Sequence, residues 1–188
     1  MKIFIVITTI LFTLLTAVGC STTGGSSNAP SYAAGEISRD AKRALQHLYN
    51  ETPEAKVLAA NAKGILVFPG ILKAGFIAGA QVGDGALLKH GRATSFYNSI
   101  AVSYGLQAGI QKFGYALFLM TDSALAHVEN SAGWEIGVGP SIVLFDKGIA
   151  RTLSTATAME GIYAFIFDQK GLMAGAGIQG SKITRINP

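Results

Sequence analysis

The chain has 188 residues, 23 of them glycine and one cysteine, with 15 Lys and Arg against 11 Asp and Glu for a formal net charge of +4. A single cysteine excludes an intramolecular disulfide framework. So mild a basic excess excludes the clustered charge of a nucleic-acid binder, and no nucleic-acid partner is expected.

Residues 1–19, MKIFIVITTILFTLLTAVG, place Lys2 ahead of an apolar run from Ile3 to Leu15 and close on small residues. The run is too short to span a bilayer and ends in a processing site, so it reads as a secretory signal peptide. TAVGC resembles a bacterial lipobox, in which cleavage precedes the cysteine and its sulfur is acylated, although Ala17 stands where leucine is commoner. Cys20 is therefore the expected lipid-attachment residue. Buried acyl chains, at about 0.8 kcal/mol per methylene, hold a protein on a membrane without a spanning helix. Ser21 follows where an aspartate would signal inner-membrane retention, which points to the periplasmic face of an outer membrane. Residues 20–35 read as acylated cysteine and flexible Ser/Thr/Gly-rich tether, leaving 36–188 as one domain. With Lys2 removed, fourteen basic residues face eleven acidic ones, a net +3 that suits weak attraction to an anionic membrane.

From Glu36 to Tyr49, Ile37, Ala41, Ala44, Leu45 and Leu48 recur at helical spacing, with Arg39, Lys42 and Arg43 largely elsewhere on the wheel. Thr52-Pro53-Glu54 then offers a cap, a first-turn proline and an early acid, predicting a second short helix to about Ala62. Beyond Gly64 the runs GILVFPG, AGFIAGAQVG, GALLKHG, SFYNSIAVSYGLQAGIQ and FGYALFLM predict antiparallel strands joined by tight turns such as Gly83-Asp84-Gly85. TDSALAHVEN (121–130) interrupts them as a helix capped by Thr121 or Asp122, and strands resume at GWEIGVG, SIVLF, IARTLST, IYAFIF and GLMAGAGIQG.

A quasi-repeat joins GFIAGAQ (75–81), GLQAGIQ (105–111) and GLMAGAG (171–177). Its spacing is too irregular for a solenoid and fits equivalent strands of one strongly curved sheet, where glycine permits bending and close packing. YALFLM (115–120) and IYAFIF (162–167) are apolar nearly throughout, the mark of strands buried on both faces rather than of a membrane barrel. The expected fold is α+β: a curved or barrel-like antiparallel sheet of Gly-rich strands with two N-terminal helices and one mid-chain helix.

GAGIQG (175–180) matches a dinucleotide-binding fingerprint, yet eight residues follow it, too few for a helix and a returning strand. His47, His90 and His127 are widely separated, and H-E-x-x-H, G-x-S-x-G and a cysteine nucleophile are missing; Ser141 in GPSIV lacks the elbow glycine. No catalytic residue, metal site or cofactor is expected.

The ordered set AKGILVFPGILKAGFIAGAQVGDGAL, SYGLQAGIQKFGYALFLMTDSAL, GWEIGVGPSIV and YAFIFDQKGLMAGAGIQGSKITRI resembles the SYLF domain family, over about Ala33 to Ile186. Eukaryotic members of that family are linked to phosphoinositide membranes and actin, and bacterial ones are commonly exported lipoproteins. The resemblance implies lipid binding without an assigned catalytic activity. It also implies a membrane-contact role for the first helix, here Arg39, Lys42 and Arg43. An exported bacterial member would not meet actin in its own cell, and most bacteria offer phosphatidylglycerol and cardiolipin rather than phosphoinositides.

Lys63, Lys73, Lys89 and Arg92 lie in a stretch with one acid, Asp84, and Lys170, Lys182 and Arg185 cluster near the end. Singly such residues are solubilising charges. As a group they are the expected contacts for acidic phospholipid headgroups, with Lys73, beside the glycine-lined AGFIAGA, the favoured one. Phe96, Tyr97, Phe113, Tyr115 and Trp134 read as core aromatics that could instead rim an interfacial patch. The function expected is non-enzymatic binding of acidic phospholipid headgroups by a membrane-anchored lipoprotein. The alternative is an envelope structural module whose partner is another protein.

Overall fold

The computed structural model describes residues 29–130, 134–135, 142–145 and 161–188; the leader, Cys20, the start of the tether, Ser141 and the predicted strand IARTLST lie outside them. Helix α1 (Ala29–Glu51) begins seven residues before Glu36. Pro30 suits a first helical turn, and Ala33 and Ala34 are strong helix formers, so part of the predicted tether is helical. Ala41, Ala44, Leu45 and Leu48 form its buried face, as their spacing indicated.

Thr52 breaks the helix and Pro53 opens α2 (Pro53–Ala59) at its first turn. The Thr52 side chain makes no capping bond; its carbonyl accepts from the Ala55 N–H at 3.0 Å instead.

Two long strands follow, β1 (Gly64–Lys89) and β2 (Arg92–Leu119), then α3 (Asp122–Asn130), two short strands β3 (Trp134–Glu135) and β4 (Ile142–Phe145), and the long β5 (Ile162–Ile186). Thr121 caps α3 by accepting the Ala124 N–H at 3.1 Å. The sheet runs β1-β2-β5-β3, with β4 alongside β5; it is curved and not closed. Pairing is antiparallel except between β4 and β5, where Ile142–Phe145 runs parallel to Ile162–Phe165.

The turn predicted at Gly83-Asp84-Gly85 does not exist. Those residues run on within β1, opposite Ser99, Asn98 and Tyr97, and Asn98 Nδ2 donates to Asp84 Oδ1 at 2.7 Å. The reversal occurs at His90-Gly91, both at positive φ (49° and 73°), the two-residue geometry that matches strand twist.

The glycines have a different task. A Cβ on Gly83 would lie 2.9 Å from Ile71 Cγ1, and one on Gly85 would lie 2.5 Å from the Val67 carbonyl oxygen. β1 therefore folds back on itself, residues 64–71 against 83–88, about an apex near Ile77. Neighbouring strands bend with it: GLQAGIQ on β2 pairs with GLMAGAG on β5, Gly105 opposite Gly177, and Gly75 of GFIAGAQ lies opposite Gly109. The quasi-repeat is the bend of a three-stranded ribbon.

The folded ribbon explains the unbroken apolar runs. Ile65, Val67, Phe118 and Phe165 pack beneath Leu45, Leu48, Ala55 and Leu58 of the two N-terminal helices. Leu66, Phe68, Leu117 and Ala164 face the other way, onto Leu87, Tyr97, Ile183 and the Ala124 and Val128 side of α3. Every residue from Tyr115 to Met120 is buried; in IYAFIF, Ile166 is the exposed exception.

Candidate functional site

Near the bend, strand alternation reverses its usual sense. On β2, Ser95, Ser99 and Ser103 are buried, whereas Ile100, Val102 and Tyr104 face out and are exposed. Gln81, opposite Ala101, is likewise buried at 7% exposure. Ser99, Ser103 and Gln81 thus line the inside of the fold toward the bend, while Ser95 lies opposite Leu87 and donates to the Tyr97 hydroxyl at 3.5 Å within the core.

Between the two arms lies a cleft of about 390 Å³. Its polar wall is Lys73, Gln81, Ser99, Gln111, Gln169 and Ser181. Ile71, Phe113, Tyr115 and Ile166 supply apolar surface beside them. Lys73 and Gln111 are directly opposite on β1 and β2, and Ser99 lies one row from Ser181 across β2 and β5. Lys73 is the one charged side chain in this wall among the described residues. Burial pushes the Tyr115 phenol up to about 12. Its ring stacks on Phe68 with centroids 6.5 Å apart.

Ammonium, amides, hydroxyls and a phenol, with no carboxylate among the cleft residues, suit an anion that carries further oxygens. The apolar wall suits the first carbons attached to it. No histidine or carboxylate is among the described residues that line the cleft beside Ser99 and Ser181.

The other predicted contacts go elsewhere. Lys63 pairs with Asp122 at 3.5 Å and Lys89 with Glu129 at 2.6 Å, both at the helical end of the sheet beside α3. Arg92 is exposed at the hairpin turn. Lys170, Lys182 and Arg185 are exposed along β5, opposite Lys112, Ile100 and Tyr97. On α1, Arg39 pairs with Glu36 and Arg43 with Asp40, each three residues away, while exposed Lys42 borders a depression with Tyr49 and His90. The seven basic residues expected at headgroups therefore do not converge on one place, and of them the cleft takes Lys73 alone. Gln81, Ser99, Gln111, Gln169 and Ser181 were not anticipated; every-fourth-residue serines on β2 were the available signal, meaningful once the ribbon is known to fold over.

Tyr97 is buried and Phe96 packs on the core, while Phe113 packs on the core and also lines the cleft; the Trp134 side chain lies outside the described residues. GAGIQG runs as backbone of β5 against β2, with no helix after it. Among the described residues one grouping offers metal-type donors: His47 Nδ1 lies 3.7 Å from Glu51 and 3.3 Å from Asp168. It joins α1 to β5, and its side chains are a third to a half exposed. No helix of the described residues is long and apolar enough to cross a membrane.

Residues 100–187 match the family model Ysc84, described as a Las17-binding protein actin regulator, whose shared feature is the SYLF domain. The matched segment supplies most of β2, all of α3 and all of β5. No curated protein matches the chain.

Proposed function

We propose, from the premise that this chain belongs to the SYLF domain family, that it is a membrane-anchored, non-enzymatic binder of acidic phospholipid headgroups. The observation that carries this reading is Lys73, among the described residues the one charge in a cleft otherwise walled by amides, hydroxyls and apolar side chains. A lipid phosphate would take the ammonium, its glycerol and headgroup oxygens the glutamines and serines, and its first methylenes Ile71 and Phe113. The lipobox-like TAVGC supports acylation at Cys20 and a place on the periplasmic face of an outer membrane. Lys170, Lys182 and Arg185, with Arg39, Lys42 and Arg43 on α1, would add general attraction to an anionic surface. Actin regulation is the description of Ysc84 and is not part of this proposal.

A form lacking residues 1–20 should bind phosphatidylglycerol-containing vesicles more tightly than phosphatidylcholine ones, and less as salt rises. Lys73→Gln should weaken that binding about tenfold or more, the worth of one charge-assisted hydrogen bond. Native mass spectrometry should find a co-purified phospholipid in the parent protein and lose it in the variant. Indifference to both kinds of vesicle, with no lipid carried, would sink the reading in favour of an envelope module that binds another protein.

A further inference from the structure

Outside the cleft, the same bend carries an unusual surface. Phe76 is 75% exposed, Tyr104 73% and Leu172 88%, and Ile110, Val102 and Ile100 stand beside them on the outer side of the ribbon. The apex residue, Ile77, is held at φ +67° although β-branched, and its side chain is also exposed.

The register gives this surface a border. Going outward from the apex along one arm, Ile110 lies opposite Ala74 and Leu172, and the next outer row is Leu72, Lys112 and Lys170. Along the other arm, Val102 lies opposite Ala80, and the next outer row is Val82, Ile100 and Lys182. An apolar cap is therefore bounded on each arm by exposed lysines; the acids nearest this border are Glu135, in register with Lys182, Asp168, two positions before Lys170, and Asp84, one row behind Val82.

Polar residues inside and apolar residues outside is the alternation of a strand that meets lipid rather than water. Its extent decides how deep it goes. From Leu72 to Ile77 an arm rises by roughly 17 Å at about 3.3 Å per residue, well short of the roughly 30 Å hydrocarbon core of a bilayer. The bend can dip into one leaflet and cannot cross.

We infer that the convex bend is a membrane-penetrating tip: Phe76, Ile77, Tyr104, Ile110 and Leu172 enter the outer part of an anionic leaflet, and Lys112, Lys170 and Lys182 rest on its headgroups. Charge chooses this occupant over a second copy of the chain, because two such caps brought face to face would oppose lysine to lysine. The inference rests on the membrane reading above but concerns a different surface from the Lys73 cleft. It brings the mouth of that cleft, a few residues behind the apex, to headgroup level.

The test places a tryptophan on the tip of the full chain with Trp134→Phe as background, using Phe76→Trp and Leu172→Trp in turn. Val57→Trp, at an exposed apolar position on α2, serves as the reporter away from the bend. In vesicles containing phosphatidylglycerol, both tip reporters should shift to shorter wavelength and lose intensity to lipids brominated near the top of the acyl chain, while the α2 reporter does neither. Lys112→Gln, Lys170→Gln and Lys182→Gln together should remove the tip signals, and pure phosphatidylcholine should weaken them. Absence of quenching at both tip positions overturns the inference, and so does equal quenching at all three. A blue shift that needs no vesicles and grows with protein concentration would assign the cap to self-association and overturn it as well. If Lys73→Gln abolishes lipid carriage while tip quenching persists, the cleft and the tip are separate sites; tip failure with cleft binding intact leaves the function and removes the tip.

Discussion

Tyr97 sits at the centre of the fold and illustrates what one polar atom does there. It is 2% exposed, and its hydroxyl donates to the Val128 carbonyl at 3.3 Å. Val128 is in the last turn of α3, where helical carbonyls lack intrahelical partners, so the phenol both satisfies that oxygen and fixes the helix to the sheet. Tyr97→Phe should cost about 1 kcal/mol in denaturant unfolding without altering lipid binding. Single residues were also where sequence reasoning was most uneven. Lys73 could be singled out because a lysine flanked by glycine-rich strand is locally odd. Lys63 and Lys89 could not be separated from it, because their carboxylate partners, Asp122 and Glu129, are some forty to sixty positions away in the chain and arrive with α3. His47 and Asp168 met for the same reason: their contact depends on how α1 docks against β5.

At the scale of the element, β1 is one strand where local pattern suggested three. Glycine followed by a turn-forming pair is a sound turn signal in isolation, and Gly83-Asp84-Gly85 carries it. What overrides the signal is tertiary: the glycines are required for the two arms of β1 to touch, and continuous pairing with β2 holds them extended. The helices were legible because their periodicity and caps are local, and the doubly buried runs because nothing else accounts for six consecutive apolar residues. Gly85→Ala tests the close approach. With Val67 oxygen and the Phe68 ring both within 2.6 Å of the added methyl, neither of them free to swing away, the variant should lose about 1–3 kcal/mol and its thermal midpoint should fall accordingly. Gly91→Ala adds a methyl to open space; strain at φ +73° alone should give a smaller loss.

For the whole molecule, burial raises two phenols, Tyr49 and Tyr115, from 10.0 to about 12. An unfolded chain releases those protons near pH 10 and the folded one keeps them until about pH 12. Stability is therefore fully present below pH 10 and is lost as pH rises from there through 12. Thermal melts should show a flat midpoint up to about pH 10 and a decline above it, and Tyr115→Phe should make the decline shallower. A midpoint that climbs in this window would contradict the burial of both rings.

The order of the strands has a consequence for how the molecule comes into being. Lys89 and Arg92 are neighbours across the His90-Gly91 turn, so β1 and β2 can zip together from that point while the rest of the chain is still unpaired. The other edge of β2 must wait for β5, which lies beyond α3 and both short strands. Until it arrives, a long edge bearing Ile100, Val102 and Tyr104 stands open to any other strand. β5 is thus a seal as well as a wall of the cleft, and a chain whose seal is late or missing is expected to aggregate through β2 before it has anything to bind.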